Sequence, residues 1–462
     1  MDTLTYFINL AYVASAALFI FGLKLLGHPD SARKGNFVSA IGMFIAVVVT
    51  LMDQQIINFH WIVIGVVVGG AIGAWKAKTV EMTAMPEMVS LFNGFGGMAS
   101  LLVGWATISG MTEEQLLAAD GGLFVATFLT IMIGAVTFSG SFIAWGKLSG
   151  KMNSKAIIFD GLRLVSLGHL IALTILVVLF TLQPDVGIWL YLTIIVALSF
   201  GILATISIGG ADMPVVIALL NSYSGVAAAA AGIAIDNTIL VVTGLLVGAS
   251  GLILTNIMCK AMNRSLLNVL LSGFAKPPEM GEKIEGEVKI MSSSDAFYVL
   301  EAAQSVLVVP GYGMAVAQAQ HAVRELQDLL EENNCAVEYA IHAVAGRMPG
   351  HMNVLLAEAD VPYEQLFEMD DVNPRMENYD VAIVIGANDV VNPAAKEMKG
   401  SPIYGMPVIE VYRAKTVFVL KRSANAGFAG VDNPLFFKEN TRMVLGDAKD
   451  TLNNIIRDFS TD

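Results

Sequence analysis

The residue types best suited to chemistry gather in the C-terminal part of the 462-residue chain. A β-branched run at 305–309 predicts a strand that ends in Pro310-Gly311-Tyr312-Gly313-Met314-Ala315-Val316 and runs into a predicted helix over 314–332. Gly311 permits the tight turn, Gly313 lets the backbone approach a pyrophosphate, and a helix N-terminus supplies free N–H groups and the positive end of its dipole. Val316 stands where this motif has a third glycine, so the strand–turn–helix context carries the reading.

Charge points to one dinucleotide over another. A carboxylate that holds a ribose 2′-hydroxyl belongs at the end of the second strand, about 20 residues past the glycines. Here that strand ends Ala340-Ile341-His342. Lys421-Arg422-Ser423, at the end of another predicted strand, offers two cations and a hydroxyl that suit a 2′-phosphate; a solvated surface pair is the alternative. Arg347, in Gly346-Arg347-Met348-Pro349-Gly350-His351, is a second anion-binding candidate. Asp389, in Gly386-Ala387-Asn388-Asp389, follows a strand at the binding edge of the sheet, where its carboxylate either senses a nicotinamide or caps a turn.

A second set of polar residues sits inside apolar segments, where each needs a partner or water. Asn93 follows Pro86 by seven residues and Asn221 follows Met213 by eight. At ~1.5 Å per residue, both lie roughly 10–12 Å in from one face and can share a pocket. Asn221-Ser222-Tyr223-Ser224 is a dense polar run, and Asp212, in Gly209-Gly210-Ala211-Asp212-Met213-Pro214, stands at its entrance. Interhelical hydrogen bonds, with Asp212 as a helix cap, are the structural alternative. His169 and His60 are proton-relay candidates, although satisfied structural histidines are commoner.

The elements that must position these groups divide the chain in two. With 55% hydrophobic and 15% charged residues, it is too apolar for an ordinary soluble enzyme. Apolar runs long enough to cross hydrocarbon occur near 4–26, 37–52, 56–75, 86–108, 122–146, 164–182, 186–208, 213–235 and 238–258. All eleven Lys and Arg up to Arg264 fall after odd-numbered runs, whereas Asp53, Glu113, Glu114, Asp120, Asp185 and Asp236 follow even-numbered ones. The positive-inside rule then predicts an outside N-terminus and a cytoplasmic C-terminal domain. Gly69 and Gly73, Gly244, Gly248 and Gly251, and Gly225 with the alanines that follow have the spacing of close helix packing.

A charged Pro/Gly-bearing stretch, 265–291, reads as a linker between a membrane domain, 1–264, and a soluble domain, 292–462. Predicted helices at 294–303, 314–332, 352–359 and 447–459 alternate with strands at 305–309, 336–341, 381–385, 407–411, 416–420 and 442–445. That order predicts an α/β, Rossmann-like, doubly wound parallel sheet behind a polytopic α-helical membrane domain of about nine spans. Residues 265–462 carry net −12, which repels polyanions and excludes nucleic acid as a partner. Cys259 and Cys335 form no disulfide framework, in keeping with a reducing cytoplasm.

Taken together, the chain resembles the β subunit of proton-translocating NAD(P) transhydrogenase. The resemblance rests on Gly209 to Pro214, Asn221 to Gly225, Pro310 to Gln320, Val344 to Leu355, Gly386 to Ala395, Lys421 to Ser423 and Asn433 to Asn440. It implies that the C-terminal domain binds NADP(H) and that the spans form part of a proton channel. It further implies that a partner α subunit brings the NAD(H) domain, and that two such sets assemble in a bacterial cytoplasmic membrane. By the same resemblance, Gly311, Tyr312, Gly313, Met314 and Arg347 contact phosphates, and Lys421, Arg422 and Ser423 hold the 2′-phosphate. Asp389 lies near the nicotinamide and takes part in coupling. Asp212 and Asn221 match proton-coupling positions, and Arg264 matches a domain-junction position. Asn93 stands where many members carry a histidine, and Phe428 where a lid tyrosine is frequent. Hydride transfer between two nicotinamides needs no side-chain acid, base or nucleophile, and the chain shows no such constellation. The rival expectation is a channel or transporter regulated by a nucleotide-sensing domain.

Overall fold

The computed structural model describes residues 3–27, 29–53, 59–183, 187–270, 286–348, 350–399, 401, 403–425, 427 and 431–461. They form two compact units, Met1–Gly209 with Val216–Thr255, and Gly210–Val215 with Asn256–Asp462.

In the first ten helices, α1 (Thr3–Leu26), α2 (Pro29–Asp53), α3 (Phe59–Thr79), α4 (Met85–Ser109), α5 (Glu113–Ala118), α6 (Gly121–Leu148), α7 (Leu162–Leu182), α8 (Ile188–Ile206), α9 (Met213–Ala234) and α10 (Thr238–Ala261), only α5 is too short to span. The other nine are the candidate spans among the described residues, matching the expected number. The second begins at Pro29, earlier than the apolar run at 37–52, because proline suits a first helical turn and Arg33 and Lys34 extend the helix beyond hydrocarbon. 

Helix packing follows small residues. A Cβ on Gly225 would lie 2.7 Å from the Gly244 carbonyl oxygen, and one on Gly251 would lie 2.8 Å from Ser222 Cα, so α9 and α10 meet backbone to backbone. The expected close approach at Gly69 and Gly73 is not seen among the described residues: a Cβ built on either meets nothing within 4 Å, and no described residue of α3 is buried.

The remaining elements are α11 (Leu266–Leu270), α12 (Ser293–Glu301), β1 (Ser305–Pro310), α13 (Tyr312–Val316), α14 (Gln320–Glu332), β2 (Ala336–Ile341), α15 (His351–Glu358), β3 (Leu366–Glu368), α16 (Met369–Val372), β4 (Val381–Ile385), α17 (Ala394–Glu397), β5 (Thr416–Lys421), β6 (Thr441–Leu445) and α18 (Ala448–Thr461). Every strand pairing is parallel, in the order β3-β2-β1-β4-β5-β6, which is the Rossmann order. Continuous apolar runs rich in β-branched residues, such as Val381 to Ile385, suit these central strands, whose two faces are both covered.

Three sequence expectations are corrected. The single helix over 314–332 is two helices, broken where Gln318 adopts φ 49°. Residues 407–411 form no strand; this apolar run is a buried segment, with Ile409 N donating to Val390 O and the Asn373 amide tied to Val408 O and Glu410 N. The edge strand β3 was not expected, because three residues show no periodicity.

Candidate functional site

The carboxyl ends of β1, β4, β5 and β6 converge on a cavity of about 210 Å³, lined by Gly313, Val316, Gly386, Lys421, Arg422 and Ser423 together with Gly446, Asp447 and Ala448. This is the position that open α/β sheets reserve for ligands, and it unites the glycine turn with the basic cluster, over 100 residues apart in sequence.

The glycines do more than admit a ligand. Gly311 N donates to Ile385 O at 2.9 Å and Gly313 N donates to Gly386 O at 2.9 Å, so the first turn is bolted to the end of β4. Gly386 has φ 62°, and a Cβ on Gly313 would lie 2.6 Å from Gly386 Cα. Only glycine fits either position. The expected free N–H groups therefore need correction: those of Gly313 and Met314 are already committed, the latter to Gly311 O at 3.0 Å. Met314 and Ala315 are buried beneath the turn, and Val316 is exposed at the cavity wall.

The cations sit where β5 ends. Lys421 is half-buried, its Nζ donating to Asn425 O and lying 5.0 Å from the Phe436 ring centre. Burial pushes its pKa down, against the pull of the Asp389 carboxylate. Arg422 is exposed and Ser423 half-buried.

Asn388 and Asp389 lie on the loop after β4, under Gly427, where a Cβ would come 2.6 Å from Asp389 Oδ1. Asn433 is 2% exposed and donates from Nδ2 to Asn388 Oδ1 at 2.8 Å and Asn388 O at 3.1 Å, fixing the loop. Among the described residues, Asn388 Nδ2 is buried with no hydrogen-bond partner. Phe428 lies outside the described residues.

Arg347 does not line the cavity. Its guanidinium stacks 4.1 Å over the Tyr312 ring, and its backbone N donates to His351 Nδ1 at 3.0 Å. Burial, helped by Arg347, drives the His351 pKa down to about 4. At the end of β2, where a ribose-binding carboxylate was looked for, His342 is buried with Nε2 2.8 Å from Pro407 O, and burial lowers its pKa.

Sequence reasoning missed the wall formed by Gly446, Asp447 and Ala448. Its signal was present: β6 passes through Gly446 into α18, and Asp447 Oδ1 accepts from Lys449 N at 3.0 Å, a second strand–turn–helix junction.

In the other unit, Asn93 Nδ2 donates to Ile217 O at 3.3 Å, Ser224 Oγ donates to Asn93 O at 3.2 Å, and Ser222 Oγ donates to Gly248 O at 2.7 Å. Asn93 thus contacts α9 within about one turn on either side of the half-buried Asn221. Asp212, which belongs to the same unit as the cavity, is buried and ion-paired with Arg264 at 2.7 Å. Burial raises its pKa, and Arg264 opposes the rise.

Residues 8–458 match the family described as NAD(P) transhydrogenase beta subunit. Two relatives named NAD(P) transhydrogenase subunit beta, from Rhodospirillum rubrum and from a specified strain of it, are each 47% identical over 454 residues, covering 97% of this chain and 98% of theirs. With nine apolar helices among the described residues followed in sequence by a Rossmann-order sheet, this chain belongs to the NAD(P) transhydrogenase beta subunit family, and is an oxidoreductase subunit that works with nicotinamide nucleotide and a partner subunit.

Proposed function

We propose that this chain binds NADP(H) on its soluble domain, 292–462, and couples hydride exchange with NAD(H) on a partner α subunit to proton movement through its membrane domain, 1–264. The observation that carries the proposal is the single cavity joining the glycine turn to Lys421, Arg422 and Ser423. At about 210 Å³ it is smaller than a typical small-molecule pocket of roughly 300–1,000 Å³, and it suits the phosphate-bearing end of the dinucleotide. 

The bound nicotinamide supplies the hydride chemistry. The chain's own residues bind and orient. Gly313 and Gly386 keep side chains out of the floor, Lys421 and Arg422 neutralise a 2′-phosphate, and Ser423 donates a hydroxyl proton to it. Asn433 holds the Asn388–Asp389 loop, whose carboxylate biases the charge on Lys421. Arg347, stacked on Tyr312 beside the turn and outside the cavity lining, pairs with the pyrophosphate in this reading. 

Asn93, Asn221, Ser222, Asp212 and Arg264 serve the proton pathway and its coupling. The basic loops support an N-terminus outside and a soluble domain in the bacterial cytoplasm by the positive-inside rule. The lack of any buried residue among those described in α3 supports membrane contact with the α subunit or a second αβ set. A proton falling through 100 mV yields ~2.3 kcal/mol, which biases NADP+ against NADPH binding by roughly fiftyfold. 

Titration of the full chain with NADP+ and NAD+ tests the reading. Tight binding of NADP+ alone, lost in Arg422→Ala, is expected; equal affinity for both would overturn it.

A further inference from the structure

His169 belongs neither to the cofactor cavity nor to the contacts of Asn93. It lies on α7, seven residues past Leu162, while Asn93 and Asn221 each lie eight residues past the first residue of α4 and α9. These are the fourth, sixth and eighth spans, so alternation starts all three at one membrane face. At ~1.5 Å per residue, His169 reaches the depth of the two asparagines, roughly 10–12 Å in.

Its hydrogen bonds define two states. Nδ1 lies 2.8 Å from Val165 O, and Nε2 lies 3.0 Å from Ser199 Oγ on α8. A carbonyl only accepts, so Nδ1 carries a proton. Ser199 Oγ also lies 2.9 Å from Val196 O, another acceptor, and the hydroxyl has one proton to give. With neutral imidazole, Ser199 donates to Nε2. With imidazolium, Nε2–H donates to Ser199 Oγ and the hydroxyl turns to Val196 O. Proton uptake therefore costs one hydroxyl rotation and strands no donor, in surroundings where an unpaired charge is expensive. Phe200 stacks on the imidazole at 28° and 6.4 Å, giving it an apolar wall.

The titratable groups on the packed helices are Arg163 on α7, Tyr191 on α8 and Lys147 on α6. Lys147 Nζ is committed to Ile206 O at 2.7 Å and Ile208 O at 2.6 Å. Among the described residues none of the three is bonded to His169.

We propose that His169 and Ser199 form a proton-holding pair in the membrane domain. One proton arrives from water at Nε2 and later returns to water, with nothing else exchanged. The assignment rests on the reading that protons cross this domain, and the test separates the two.

In the intact complex with its companion subunit, labelled with 15N-histidine and reconstituted in vesicles, the ring signal that disappears in His169→Gln is followed against pH. The expected result is a passage from both nitrogens protonated to Nδ1–H alone as pH rises. In Ser199→Ala the imidazolium loses its acceptor, and proton pumping falls as it does in His169→Gln. Proton pumping driven by hydride transfer falls about tenfold or more in His169→Gln. A ring fixed in one protonation state across the range, or pumping within about twofold of normal with an unmoved pH profile, overturns the pair. If His169→Gln does not fold, His169→Asn assigns the ring signal in its place, and that signal together with Ser199→Ala decides. A native complex that pumps no protons at all refutes the proposed function instead, and the ring titration still judges the pair.

Discussion

Arg264 Nη1 bridges both carboxylate oxygens of Asp212, at 2.7 and 2.8 Å, and its partner is almost wholly buried while Arg264 keeps about a third of its side chain exposed. The pair is asymmetric: the acid has paid the desolvation and the base has not. Removing Arg264 leaves an uncompensated buried carboxylate, a change of about 3–5 kcal/mol unless the acid takes up a proton. Arg264→Gln is therefore expected to raise the Asp212 pKa further, so that the low-pH arm of the turnover profile moves to higher pH. Adding Asp212→Asn should restore stability to Arg264→Gln and abolish that movement. Thermal unfolding and pH–rate profiles of the two variants check both points.

The basic cluster makes a pH prediction of its own. Lys421 titrates below its ordinary range because of burial, and only its charged form attracts a 2′-phosphate. Affinity for NADP+ should be full below that lowered pKa and decline as pH rises through it, earlier than a free lysine would permit. Lys421→Arg keeps its charge over the whole range, so the decline should vanish. Calorimetric titration at several pH values measures it, and an equally steep decline in the arginine variant would refute it.

The turn glycines differ in what they tolerate. Gly313→Ala drives a methyl into Gly386 Cα, and Gly386→Ala adds left-handed strain at φ 62° to the reciprocal clash. Each should cost about 1–3 kcal/mol from overpacking, with about 1 kcal/mol more for Gly386. A Cβ on Gly350, at φ 67°, meets nothing within 4 Å among the described residues, so Gly350→Ala carries only the conformational cost. Hydrogen exchange of β1 and β4 in the full chain should rank the variants Gly386 worst, Gly313 next and Gly350 mildest.

How much of this was legible beforehand depended on the range of the interactions involved. Nine spans and the glycine turn could be read because both are local: a run of apolar residues, and a strand meeting a helix. Lys421 and Arg422 were legible as charges, but the cavity that joins them to Gly313 is set by the strand order, which places β5 beside β4 and β4 beside β1. The 407–411 segment misled because β-branched residues bury equally well in a loop once His342 and Asn373 satisfy its backbone. Asn433 was visible only within a motif; its role as a clamp on Asn388 spans 45 residues and had no local signal.

His351 offers the last test, through stability. Its side chain is 1% exposed, Nδ1 accepts the Arg347 N–H, and its pKa falls to about 4 from an ordinary 6.5. Between those values the unfolded chain binds a proton that the folded one refuses, so stability rises with pH across the window. The neutral ring contributes fully above pH 6.5, and up to about 3 kcal/mol is lost as pH falls towards 4. His351→Gln cannot titrate, and should remove that share of the acid sensitivity while lowering stability at neutral pH. Hydrogen exchange at Met352, Leu355 and Leu356, all buried on α15, reads this directly. If protection there falls equally with acid in native and variant chains, His351 is not the group responsible.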